Sequence, residues 1–138
     1  MKIVFDAEGC IVGRLATIAA KELLKGNNVY IVNAEKALIS GNPKYVIDVW
    51  QTKIARGHPY KGPFYPKQPD RIIKRVIRGM LPYKKWRGKQ AFKRLRVYVS
   101  VPQELKESAL KPQKAVSKIK KGISLGELSL KCGAKKLW

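Results

Sequence analysis

The chain has 138 residues, 30 of them Lys or Arg against nine Asp or Glu, for a net charge of +21. With 45% apolar residues it can bury a real core, and it is too rich in Val, Ile, Leu and Phe for a disordered basic tail. No apolar run approaches the ~18 residues of a membrane span, and Cys10 and Cys132 stand far apart outside any Cys-x-x-Cys pair, which argues against a disulfide framework or a zinc site.

The first residues, Met1 to Asp6, carry one Lys and an acid within a strand-like run, unlike a signal peptide. Residues 2–7 read as a short buried strand, and Glu8-Gly9 as the turn after it. Ile11, Leu15, Ile18, Ala19 and Leu23 recur at helical spacing, so residues 11–25 are predicted helical, ended by Gly26-Asn27. Val29-Tyr30-Ile31-Val32 is a second run of strand formers, apolar throughout. Strand, helix and strand within about thirty residues make a βαβ unit with parallel strands and a right-handed crossover. A brief apolar piece at 37–40 closes on Gly41-Asn42-Pro43. A helix over 44–56 then places Tyr45, Val46, Val49, Trp50 and Ile54 on one face. Residues 57–69 hold four prolines, two glycines and three aromatics, which is an extended loop rather than helix or sheet.

Pro69-Asp70 is a good helix start, followed by an apolar face of Ile72, Ile73, Val76, Ile77 and Met80. Residues 83–89 read as a basic loop, 90–95 as a short helix, and 96–101 as a third strand. Beyond Pro102 the pattern weakens: a helical turn near 104–110, a Lys-rich mobile stretch at 111–122, and a last short helix at 124–131.

Charge is unevenly placed along this plan. Residues 1–40 have five basic and four acidic side chains, whereas 41–100 have sixteen basic residues against Asp48 and Asp70 alone. A solvated surface mixes signs, and the middle segment does not. A charge of this size repels itself unless a polyanion neutralises it, so nucleic acid is the expected partner. Arg71, Lys74, Arg75 and Arg78 fall at i, i+3, i+4 and i+7, a basic stripe opposite the apolar one that can lie along phosphates. Lys84, Lys85, Trp86, Arg87 and Lys89 interleave an aromatic with cations, a pattern suited to stacking on a base while holding the backbone. The alternative for Trp86 is that it closes over the core. The Pro-rich loop repeats that pattern with Tyr60, Lys61, Phe64, Tyr65 and Lys67. Arg56, Lys93 and Arg94 complete the set of candidate RNA-binding residues.

Catalytic and cofactor-binding constellations do not assemble. His58 is the single histidine and has no acid or cysteine near it in sequence. Gly9-Cys10-Ile11-Val12-Gly13-Arg14 departs from a phosphate loop in spacing and lacks its Lys-Ser/Thr; Gly9 is read as a chain turn and Gly13 as a point of close helix–strand approach. Cys10, beside a helix start, is read as a buried structural thiol. No cofactor, metal or small-molecule substrate is implied.

Four strings in sequence order then become informative: Asp6-Ala7 with Gly9 and Gly13-Arg14-Leu15-Ala16; Val32-Asn33-Ala34-Glu35 with Ile39-Ser40-Gly41; Arg78-Gly79-Met80-Leu81-Pro82; and Arg94-Leu95-Arg96-Val97-Tyr98. Together they resemble the universal large-subunit ribosomal protein thirteen family, and the loop at 57–69 is similar to its archaeal and eukaryotic branch. The resemblance implies a three-layer α/β/α fold around a small four-stranded, largely parallel sheet, its fourth strand near residues 37–40. It implies one α/β domain over 1–102 that includes a basic rRNA-binding segment, 56–96, with 103–138 as a basic C-terminal tail packing on that domain or on rRNA. It further implies a cytoplasmic, non-catalytic constituent of the large ribosomal subunit that binds large-subunit rRNA, touches neighbouring ribosomal proteins and supports assembly. The absence of the long helical extension of eukaryotic relatives implies an archaeal source. The alternative is a free RNA- or DNA-binding, chaperone-like protein. A membrane-surface role is disfavoured because the basic helix is short and its apolar face is needed for the core.

Overall fold

The computed structural model describes residues 1–138. Strand β1 (Lys2–Asp6), helix α1 (Val12–Leu24) and strand β2 (Asn28–Val32) form the expected βαβ unit, with the strands parallel from Lys2↔Asn28 to Asp6↔Val32. Gly9, at φ 72°, makes the turn into α1, a conformation that a side chain resists. Leu15, Ala16, Ala19 and Leu23 are fully buried, and the two alanines let α1 lie close against the rest of the core. Gly13 has a different place from the one expected: it is exposed, and a Cβ there would meet nothing within 4 Å, so it mediates no close approach.

Beyond β2 the chain leaves the sheet. Asn33 adopts the left-handed conformation (φ 56°), held there by its side-chain amide donating to Asp6 Oδ1 at 2.9 Å, and a single 3-10 turn over Ala34–Lys36 follows. Strand β3 (Leu38–Ser40) is thereby carried away from the parallel sheet, contrary to the expectation that the fourth strand lies there. β3 pairs instead, antiparallel, with β6 (Gly122–Ser124). The third and fourth strands of the main sheet are β4 (Leu95–Val97) and the two-residue β5 (Ala109–Leu110), giving the all-parallel order β4-β2-β1-β5. β4 is shorter than the predicted third strand because Ser100 turns to φ 62°, where its N–H donates to the buried Glu35 carboxylate at 3.0 Å.

Four further helices are α2 (Pro43–Ala55), α3 (Pro69–Met80), α4 (Trp86–Lys93) and α5 (Leu125–Lys131). Asn42 caps α2 by accepting from the Lys44 N–H at 3.1 Å, and Ser124 caps α5 by accepting from the Glu127 N–H at 3.3 Å. Helices α1, α3, α4 and α5 bury their apolar residues in one cluster with Phe5, Val29, Ile31, Leu95 and Val97 of the sheet. The opposite sheet face is covered more thinly, by Leu105 of a 3-10 segment (Gln103–Ser108) packed on Val4 and Val32. This is the α/β class with a small parallel sheet that the sequence implied.

Helix α2 differs from expectation. Only Val46 is buried, and Tyr45, placed on the apolar face by spacing, is 69% exposed. The stretch 111–121, expected to be mobile, is fastened at its middle and at its end: Ile11 N–H donates to Ala115 O and Gly41 N–H to Lys121 O, each at 3.0 Å, and Ala115 is fully buried.

Candidate nucleic-acid interface

Helix α3 is divided by its own sequence. Ile72, Ile73 and Ile77 are buried, while Arg71, Lys74, Arg75 and Arg78 follow the other face. The ion pairs of the molecule are Lys25–Glu22, Lys36–Glu8 and Lys111–Glu8, so none of the sixteen cations between 41 and 100 is neutralised by an acid. Their positions are set instead by aromatic rings. The Arg75 guanidinium lies 4.9 Å from the Tyr65 ring centre and that of Arg78 4.5 Å from the Tyr83 ring centre. Tyr65 meets Trp50 edge to face at 6.4 Å, Tyr83 meets Phe92 likewise at 5.6 Å, and Lys53 spans the Trp50 and Tyr65 rings at 5.2 and 6.0 Å. A guanidinium resting on a ring keeps its charge and its planar fork of donors while losing freedom, which prepares it for a phosphate.

These side chains border a trough. One part, about 350 Å³, is lined by Tyr65, Arg71, Lys74, Arg75, Arg78 and Phe92 among others. A second, about 490 Å³, continues past Arg75, Arg78 and Tyr83 to Lys84 and Lys85. The predicted basic loop at 83–89 is partly helix, because α4 starts at Trp86 with Lys85 as its N-cap residue. Lys84, Lys85, Arg87 and Lys89 are exposed around that helix start, whose free N–H groups add to the positive field. Trp86 is 75% exposed and does not close over the core.

The other sequence candidates scatter. Arg56 is the exposed C-cap of α2, and Lys61 sits in the turn that His58 and Gly62 close by exchanging backbone hydrogen bonds of 3.0 and 2.9 Å. Lys67 is exposed and near enough to Cys132 to oppose the upward push that burial gives that thiol. Lys93 is exposed at the end of α4. Arg94 is turned inward: its Nη2 donates to Leu23 O at 2.8 Å, closing the C-terminus of α1, and its Nε is buried. Tyr83 lines the trough, and Lys53 and Trp50 adjoin it through the Tyr65 ring, although the sequence singles out none of the three as a contact. Lys53 follows Trp50 by one helical turn, but the ring that completes its setting comes from the Pro-rich loop, which no periodicity places.

The remaining reactive groups are quiet. Cys10 is fully buried, its Sγ donates to Asp6 O at 3.3 Å, and burial with the nearby Asp6 charge pushes its thiol up to about 11. His58 is exposed, its Nδ1 accepting from the Tyr60 N–H at 3.2 Å. No three His, Cys, Asp or Glu residues are grouped as metal ligands, and no helix is long and apolar enough to cross a membrane.

Comparison with known proteins is consistent in direction. The family profile described as Ribosomal protein L13 matches residues 1–104. The large ribosomal subunit protein uL13 of Methanosarcina barkeri is 50% identical over 138 residues, covering 96% of this chain and 98% of its own length. The protein of the same name from Methanopyrus kandleri is 44% identical over 136 residues, covering 94% and 86%. That of Haloarcula marismortui is 41% identical over 138 residues, covering 99% and 94%.

Proposed function

The chain belongs to the ribosomal protein L13 family, and from that premise we propose that it is a non-catalytic structural constituent of the large ribosomal subunit, held there by rRNA along the exposed face of α3. The observation that carries the rRNA assignment is the trough itself: a continuous line of cations from Arg71 to Lys85 with no acid paired to any of them and with rings fixing two of its guanidinium groups. Such a surface grips a phosphate backbone and reads RNA mainly by shape. Arg71, Lys74, Arg75 and Arg78 contact phosphates from one helix face; Lys84, Lys85, Arg87 and Lys89 close on the strand from the start of α4, and Trp86 offers an exposed ring for stacking. Arg56, Lys61, Lys67 and Lys93 extend the positive field toward its edges.

The α/β domain over 1–102 carries this segment, and the 103–138 tail packs back on the domain through Leu105, Ala115 and Leu128, all buried. Neutralising rRNA phosphates while holding a rigid sheet beside them supports assembly of the subunit in the cytoplasm, next to neighbouring ribosomal proteins. The test is equilibrium binding to large-subunit rRNA across a salt series. About ten phosphate contacts give a loss of roughly five decades between 50 and 200 mM salt. Changing Arg71, Lys74, Arg75 and Arg78 together to Gln lowers the logarithmic salt slope by about 3 to 4. A nearly flat salt dependence of the unaltered chain would refute the proposal.

A further inference from the structure

We propose that the open half of the opposite sheet face, around Tyr30 and Tyr98, is a second RNA contact that stacks unpaired bases. It rests on the reading that the chain binds rRNA, but it uses none of the residues of the α3 trough.

The face is built by strand alternation. Val29, Ile31, Leu95 and Val97 point into the large core, so Tyr30 and Arg96, which are direct partners across the β2–β4 ladder, share the other side. Lys2 and Val4 of β1 share it too, since Val4 is the cross-strand partner of Tyr30 and packs in the smaller cluster. Leu105 covers Val4 and Val32 and leaves the end of the face toward Lys2 uncovered. There the Tyr30 and Tyr98 rings lie nearly parallel, 5° apart in orientation with centres 6.5 Å apart, and the Lys2 ammonium stands 5.0 Å from the Tyr30 ring centre. Both rings are half-buried, Lys2 and Arg96 are exposed, and neither cation has an acidic partner. The cleft between the rings and the 3-10 segment measures about 580 Å³, with Gln103 and Glu104 on its rim.

Each part suits a single strand. Parallel rings match the parallel planes of successive bases, and stacking on tyrosine needs no particular base. Lys2 and Arg96 flank the rings where the backbone would run; Arg96 uses Nη1 to hold the carbonyls of Lys93 and Leu95 at 3.3 Å, which leaves its other guanidinium donors free. Glu104 presents carboxylate acceptors, which repel a phosphate but suit the amino edge of an unpaired base, and the Gln103 amide offers both a donor and an acceptor to a base edge. A duplex hides those edges and those faces, so the platform selects unpaired RNA whereas the trough grips backbone. With cations on both sides of the sheet, the domain would sit between two RNA segments.

The test titrates the full chain with oligocytidylate and, separately, with an A-form RNA duplex. Three variants are compared: Tyr30→Leu with Tyr98→Leu; Lys2→Gln with Arg96→Gln, whose exposed side chains are not part of the core; and the fourfold Gln variant of α3. Oligocytidylate binding is expected to weaken about tenfold for each stacked base lost in the tyrosine variant, to weaken also in the Lys2/Arg96 variant, and to recover when Tyr30 and Tyr98 are Phe. Duplex binding should hold in those variants and fall in the α3 variant. Oligocytidylate affinity unchanged in both the tyrosine and the Lys2/Arg96 variants would overturn the stacking platform and leave the α3 reading standing. Duplex affinity unchanged in the α3 variant would overturn that reading instead. Photocrosslinks from Tyr30 and Tyr98 in intact large subunits should reach RNA; crosslinks to a neighbouring protein alone would overturn the platform.

Discussion

Gly88 decides how α4 meets the end of α3, and replacing it by Ala puts two opposed effects in direct competition. In an exposed helix the change gains about 1 kcal/mol, because Gly is the costlier helix residue. Here the added Cβ would sit inside contact distance of the Pro82 carbonyl group and 2.9 Å from the Tyr83 nitrogen, all of it backbone that no rotamer change can clear. Carbon atoms rest at about 3.5 Å or more, so α4 must back away by roughly 1 Å. Ala91, fully buried about one turn further along the same helix, and half-buried Phe92 would be pulled with it. Overpacking of this kind costs ~1–3 kcal/mol, and a backbone-to-backbone clash belongs near the top of that range. The expected net effect of Gly88→Ala is a loss of about 2 kcal/mol, read as a drop of ~1 M in the urea midpoint for a slope near 2 kcal/mol/M. Gly79→Ala is the internal control: it lies in the last turn of α3 with nothing within 4 Å of the new Cβ. It should gain a few tenths to ~1 kcal/mol. If Gly88→Ala stabilises as much as Gly79→Ala, the close seating of α4 on the Pro82 backbone, and with it the placement of Lys84 to Lys89 beside α3, is refuted.

Three further outcomes follow from single side chains. Arg94→Met should cost about 1–2 kcal/mol by unfastening the Leu23 carbonyl while leaving the salt slope of RNA binding unchanged; a reduced slope would place Arg94 on the RNA instead. Ser124→Ala should lower stability by about 1 kcal/mol through loss of the α5 cap, and an unchanged urea midpoint would contradict that role. Cys10, held protonated to about 11 by burial, should resist iodoacetamide at pH 8 until denaturant is added, whereas rapid labelling mapped to Cys10 itself, rather than to half-buried Cys132, in the folded chain would contradict its burial. Because the unfolded chain ionises this thiol first, its contribution to stability is present below the ordinary thiol range and fades as the pH rises toward about 11. A Cys10→Ala variant should lack that alkaline component.

The parts of the fold that could be read from sequence are those whose own residues repeat a period. The apolar runs of β1 and β2 and the three-to-four spacing in α1 and α3 place Val4, Phe5, Val29, Ile31, Leu15, Leu23, Ile72, Ile73 and Ile77 in the core as read, although Met80, on the same predicted face of α3, is 43% exposed. β5 has no such pattern: Ala109–Leu110 becomes a strand because β1 offers it an open edge, a fact about the partner rather than about the two residues. The start of α4 was hidden because its buried residues are Gly88 and Ala91, small side chains among cations that leave no apolar stripe to detect. In the interface, Arg71, Lys74, Arg75 and Arg78 were legible from spacing alone, whereas Arg94 carries the same charge and differs only in what its chain packs beneath. The cation–ring pairs were not legible, since Tyr65 and Tyr83 reach α3 from loops with no period.

The central claim is that the chain is an rRNA-bound constituent of the large subunit. It is tested most directly by gradient sedimentation of a native extract washed at high salt, with the protein followed across the fractions. The account expects stoichiometric retention in the large-subunit peak. Recovery of the folded, unaltered chain only at the top of the gradient, even at low salt, would contradict it.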